Sequence, residues 1–80
     1  MKAKYIIIRK AKMEMPMVFS QFLLHSEVAG KSQITSAGFC EVTGAGKWRV
    51  GGQSTSLKLT ARLEDAEILN THLLKDAFEK

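Results

Sequence analysis

The apolar residues of this 80-residue chain fall into short runs with two different periods. Lys4-Tyr5-Ile6-Ile7-Ile8-Arg9 is β-branched and aromatic and is bounded by charge, which predicts a strand. Three consecutive isoleucines do not alternate with polar residues. Both faces of that strand are therefore expected to be covered, which places it inside a sheet. Residues 10–13 read as a turn or bulge, and residues 14–19 as a second strand. Pro16 cannot donate to a ladder, so this second strand belongs at an edge. Met13, Met15 and Met17 alternate through it and share one face.

Ser20 reads as a helix N-cap. Phe22, Leu23, Leu24 and Val28 follow, with polar Gln21, Ser26 and Glu27 between them. This predicts a short helix that Gly30 ends in a left-handed conformation. After a loop at Lys31-Ser32-Gln33, residues 36–42 read as a strand. Cys40 and Val42 lie on one of its faces, and Phe39, Glu41 and Thr43 on the other. Thr43-Gly44-Ala45-Gly46-Lys47 is a turn and Trp48-Arg49-Val50 its returning strand. Gly51-Gly52 marks a bulge or sharp bend, and residues 54–60 are expected to form a last strand. In residues 63–78, Ala66, Leu69, Leu73 and Ala77 recur at spacings of three and four, with Leu63, Ile68 and Leu74 widening the stripe. That is the pattern of a long amphipathic helix. Glu64, Asp65 and Glu67 near its start, and Lys75 and Lys80 near its end, complement the helix dipole. The expected fold is one α+β domain over residues 1–80. An antiparallel sheet of four or five strands carries two helices, the C-terminal one long.

Composition narrows the functional classes. The apolar fraction of 45% and charged fraction of 25% belong to an ordinary globular chain. A lone cysteine, Cys40, suits a reducing compartment. No apolar run approaches the roughly 20 residues that span a bilayer, and residues 5–8 are too short for a signal-peptide core. The expectation is a cytoplasmic protein without a membrane partner. So short a chain buries a limited core, and association into a homodimer is a ready way to add to it.

The net charge of +4 is unevenly spread. Lys2, Lys4, Arg9, Lys10 and Lys12 crowd the first twelve residues without an acid, whereas residues 63–80 carry a surplus of acid. Such asymmetry can mark a nucleic-acid surface or can leave two solvated faces.

Candidate chemistry is sparse. Gly46-Lys47 fails as a phosphate loop, because Glu41 stands where the first glycine is required and Trp48 where Ser or Thr is required. Cys40, His25 and His72 share no metal-ligand spacing. Cys40 sits on the face of Val42 and reads as a buried thiol. No cofactor, metal or catalytic set is expected, and the chain is not read as an enzyme. Two surfaces remain. Met13, Met15, Met17 and Trp48 are candidate protein contacts, and the methionine strand is an edge to which another strand could add. Lys47, Trp48, Arg49 and Lys58, with Tyr5 or Phe39 in support, are candidate nucleic-acid contacts of the stacking kind. A lone tryptophan as core anchor is the structural alternative.

Several segments resemble small proteins encoded in phage and prophage regions of proteobacterial genomes. They are Glu14-Met15-Pro16-Met17-Val18-Phe19, His25 with Val28-Ala29, Ser36-Ala37-Gly38-Phe39, Gly52-Gln53-Ser54-Thr55-Ser56-Leu57 and Arg62-Leu63-Glu64-Asp65-Ala66. Leu63 departs from the pattern, which has proline there. The resemblance implies a genomic setting and carries no activity and no site residues. The function expected is a small interaction protein, a phage-type accessory factor acting through a protein partner of unknown identity or through self-association. The alternative is a nucleic-acid-binding domain that uses the basic, Trp-containing hairpin.

Overall fold

The structure is a computed structural model that describes residues 2–44 and 46–74, excepting the side chains of residues 73 and 74. Its elements are β1 (Lys2–Lys10), β2 (Met13–Phe19), α1 (His25–Ala29), β3 (Ile34–Val42), β4 (Trp48–Gly51), β5 (Gln53–Ser54), β6 (Leu59–Thr60) and α2 (Leu63–Leu69). A π-helical turn, Asn70–Leu74, follows α2. Strands β2-β1-β3-β4 form a four-stranded antiparallel sheet in that order, and β5-β6 a separate ribbon. The fold is α+β. No helix among the described residues is long and apolar enough to cross a membrane.

The unalternating Tyr5-Ile6-Ile7 run has the two-faced burial its composition predicts. All three side chains are fully buried. Tyr5 and Ile7 join Cys40 and Leu69 on one face, which α2 covers. Ile6 joins Ala29 and Ala37 on the other, beside α1 and with Leu57 and Leu59 of the ribbon. The core is therefore two thin layers divided by β1 and β3.

Both sheet edges are blunted. The Arg9 amide donates to the Gln33 carbonyl, so the odd residues of β1 point their backbone groups toward β3 and the even ones toward β2. Pro16 lies opposite Ile7 and so turns its nitrogen to the open side of β2. The missing N–H falls where a further strand would need it. Only Glu14 and Val18 of that row can donate outward. At the other edge, the Asn70 side chain accepts from the Trp48 amide (2.7 Å) and donates to the Trp48 carbonyl (3.3 Å). A side-chain amide thus stands in for a neighbouring strand.

Three elements differ from expectation. The helix expected after Ser20 is confined to His25–Ala29, because Ser20 Oγ takes the Phe22 amide in a local turn and the helix instead starts where Glu27 accepts the Leu24 amide. Phe22 is left 88% exposed. The strand expected over residues 54–60 is a two-plus-two ribbon. Ser54 Oγ accepts the Leu57 amide and Lys58 takes a φ of 58°, so its serines favour a turn over a ladder. The long C-terminal helix is also corrected. The α-helical part is seven residues and then widens at Asn70, the residue held by β4. Leu63, assigned to the apolar stripe, is exposed. Ala77 and the rest of the expected helix lie outside the described residues.

Candidate functional site

The methionines form one row. Each lies opposite an even-numbered residue of β1: Met13 opposite Lys10, Met15 opposite Ile8 and Met17 opposite Ile6. They share the α1 side of the sheet and are 60%, 47% and 41% exposed. Trp48 is apart from them. It lies on the opposite edge strand and packs against the core on the α2 side. The four candidate protein contacts therefore do not make one surface.

The candidate nucleic-acid contacts are likewise dispersed. Trp48 and Arg49 are neighbours on a strand and so face opposite sides of the sheet. Lys47 borders a hollow beside α2 with Leu63 and Asn70. Lys58 belongs to the turn of the β5-β6 ribbon. Tyr5 is fully buried and cannot stack on a base.

Phe39 is in a different position. Register places Lys4 and Gly51 on either side of it, with Lys2, Glu41 and Arg49 in the next row. The Lys2 and Lys4 ammonium groups stand 5.6 and 5.8 Å from the Phe39 ring centroid. A cleft of about 250 Å³ runs between Lys2, Phe39, Arg49 and the Gly51-Gly52 bend. A smaller hollow of about 190 Å³ continues on the other side of Lys4 and Phe39, toward His25, Gln53 and Thr55. Arg49 is hydrogen-bonded to Glu41, and that contact, with the guanidinium charge, holds the half-buried Glu41 carboxyl below its usual range. Gly52 has a φ of 76°, and a Cβ there would sit 3.1 Å from the Phe39 ring. A side chain would crowd the ring.

Beneath the opposite face lies a polar network. The Asp65 carboxyl is fully buried. It accepts from Tyr5 Oη (2.5 Å), Ser36 Oγ (2.8 Å), and the Arg62 amide and Nε (2.9 Å each). Arg62 reaches on to Glu14 at 3.0 Å, and Glu14 accepts from Thr35 Oγ1 at 2.6 Å. Thr35 is the extra residue of the β-bulge in β3, which turns its side chain toward that network. The hydrogen bond from Thr35, then those from Arg62, lower the Glu14 carboxyl. Burial first, then Asp65, raises the Tyr5 phenol. No buried side-chain polar atom among the described residues lacks a partner. The network joins β1, β2, β3 and α2, and all its groups satisfy one another.

No protein-family model, curated protein or solved structure matches the chain. Cys40 is buried on the α2 face, and burial pushes its thiol up to about 11, which disfavours the nucleophilic thiolate. His25 is buried on the other face, where Nε2 lies 2.8 Å from the Gly38 carbonyl and the ring meets Phe19 and Phe39 edge-on. His72 lies beyond α2, near Glu14, Glu64 and Glu67. The described residues contain no group of three His, Cys, Asp or Glu side chains placed to hold a metal.

By sequence Asp65 is one of three acids that complement the dipole at a helix start. The signal that points inward is its spacing from Arg62. An acidic residue at the third helical position can accept the cap-residue amide, and an apolar neighbourhood then buries it. By sequence Phe39 is a supporting contact for Trp48. Its pairing with Lys2 and Lys4 depends on strand register.

Proposed function

We propose that the protein is a non-enzymatic interaction module, a phage-type accessory factor that works by self-association through the outward row of β2. One observation carries this reading: Met13, Met15 and Met17 stay exposed in line, on a strand whose neighbour buries Ile6 completely. Unbranched thioether side chains adapt to an opposing surface. Evenly spaced residues in one row are also self-complementary about a two-fold axis through Met15, which sets Met13 of one copy on Met17 of the other. Pro16 weakens the rival geometry, a ladder between two copies, by removing the central donor. The contact is made by side chains packed face to face.

Light scattering over a concentration series tests this. The wild type is expected to form a dimer as concentration rises. The triple variant Met13→Ser, Met15→Ser, Met17→Ser should stay monomeric with an unchanged circular dichroism spectrum. A wild type that is strictly monomeric at high concentration overturns self-association. The phage setting has its own test in the genes that flank the coding region, and ordinary chromosomal genes on both sides would count against it.

A further inference from the structure

We propose that the cleft around Phe39 binds a short stretch of single-stranded nucleic acid. The site is separate from the methionine row and does not depend on it. Three features meet there. The first is the aromatic ring of Phe39, half-buried and lining both hollows, with the flexible Lys2 and Lys4 side chains over it, so that a base stacks there as the two ammonium groups turn to its phosphates. The second is charge. Lys2, Lys4 and Arg49 come from two strands to one face, with Glu41 as the acid among them. Glu41 is taken up by Arg49, which leaves the two lysines as the surplus. Lys4 Nζ donates to the Leu23 carbonyl at 2.8 Å, but an ammonium has three donors and two remain. The third is the backbone at Gly51 and Gly52, which walls the cleft without side chains to fill it.

This combination selects the ligand class. Phosphates along a strand match cations placed in a row, and every base presents a face to an aromatic ring. A base held in a duplex cannot leave its stack without cost, so the ring favours unpaired strands. An acidic peptide would use the lysines but leave the ring without a role. Gln53, Thr55 and Ser56, along the smaller hollow, can hydrogen-bond sugar or base edges without selecting a sequence. The binding expected is weak in sequence preference and strong in salt dependence.

Fluorescence anisotropy with a labelled oligo-deoxythymidine about 10 nucleotides long, within the site size of small single-strand binders, provides the test. Affinity should fall roughly sevenfold between about 50 mM and 200 mM salt, the slope for about two phosphate contacts on a single strand. Lys2→Glu changes an exposed residue and should weaken binding about tenfold. Phe39→Leu keeps an apolar side chain but removes the stacking face, and should also cost about tenfold. Lys12→Glu changes the same charge at the far end of β1, in the β1–β2 turn, and should bind as the wild type does. Four results would each overturn the proposal. They are no binding at low salt, equal affinity for a duplex, equal losses in the Lys2 and Lys12 variants, or displacement by poly-glutamate at matched charge.

Discussion

Ala11 holds a φ of 57° in the two-residue turn between β1 and β2, a conformation that costs an L-residue roughly 1–2 kcal/mol. Only this first central residue is positive, the pattern of a type II′ turn, in which glycine is the usual occupant. Gly38 presents the opposite case. A Cβ there would meet the Gly51 carbonyl oxygen at 2.8 Å and the Ala61 Cβ at 3.0 Å, and backbone cannot swing aside. Ala11→Gly should therefore stabilise the protein by about 1 kcal/mol, and Gly38→Ala should destabilise it by about 1–3 kcal/mol. Chemical denaturation reads both. Shifts of the same sign in the two variants would contradict this account.

Among the elements, β2 is the one whose sequence limits its own pairing. Its methionines invite contact while Pro16 interrupts the outward row of donors. Pro16→Thr restores an N–H and a β-forming side chain at the middle of that edge. The variant should associate more strongly than the wild type and progress beyond dimers, seen as a rise in scattering mass with time. An unchanged mass at equal concentration would show that the edge is blocked by something other than the proline. The element α2 is limited at its other end. Asn70 serves the edge of β4 at Trp48, and the helix widens there. Asn70, bonded to β4, is also the first residue of the π-helical turn that replaces α-helical spacing over Asn70–Leu74.

For the whole molecule, two buried groups couple stability to alkaline pH. The Tyr5 phenol is raised above its ordinary value of 10.0, by burial first and then by the hydrogen bond to Asp65. The folded state keeps it neutral while the unfolded chain ionises. Its contribution is complete below pH 10 and is lost as pH rises beyond that. Cys40 behaves likewise, between its ordinary 9.0 and about 11. Stability should therefore decline from about pH 9 upward. Tyr5→Phe should cost about 1–3 kcal/mol at neutral pH, through the lost hydrogen bond to Asp65, and should flatten the decline above pH 10. A variant profile as steep as the wild type would remove Tyr5 from this role. On the acid side, Glu14 is depressed below 4.5, so its contribution is present above that value and fades as pH falls.

Much of the architecture is local and was therefore legible. The Tyr5-Ile6-Ile7 run requires cover on both sides, Pro16 requires an edge, and Gly51-Gly52 permits a bend. Each follows from side-chain chemistry or backbone freedom within a few residues. What the sequence alone could not supply is any relation between residues distant along the chain. Trp48 and Arg49 are adjacent in sequence yet face opposite sides of the sheet, whereas Lys2, Lys4, Phe39 and Arg49 meet through strand register. Asp65 is buried where Tyr5, Ser36 and Arg62 converge on it, and α2 passes into a π-helical turn at Asn70, the residue bonded to β4. Local patterns determined which segments became strands and turns. Tertiary packing decided which side chains meet, because such contacts depend on the pairing of strands that no single segment encodes.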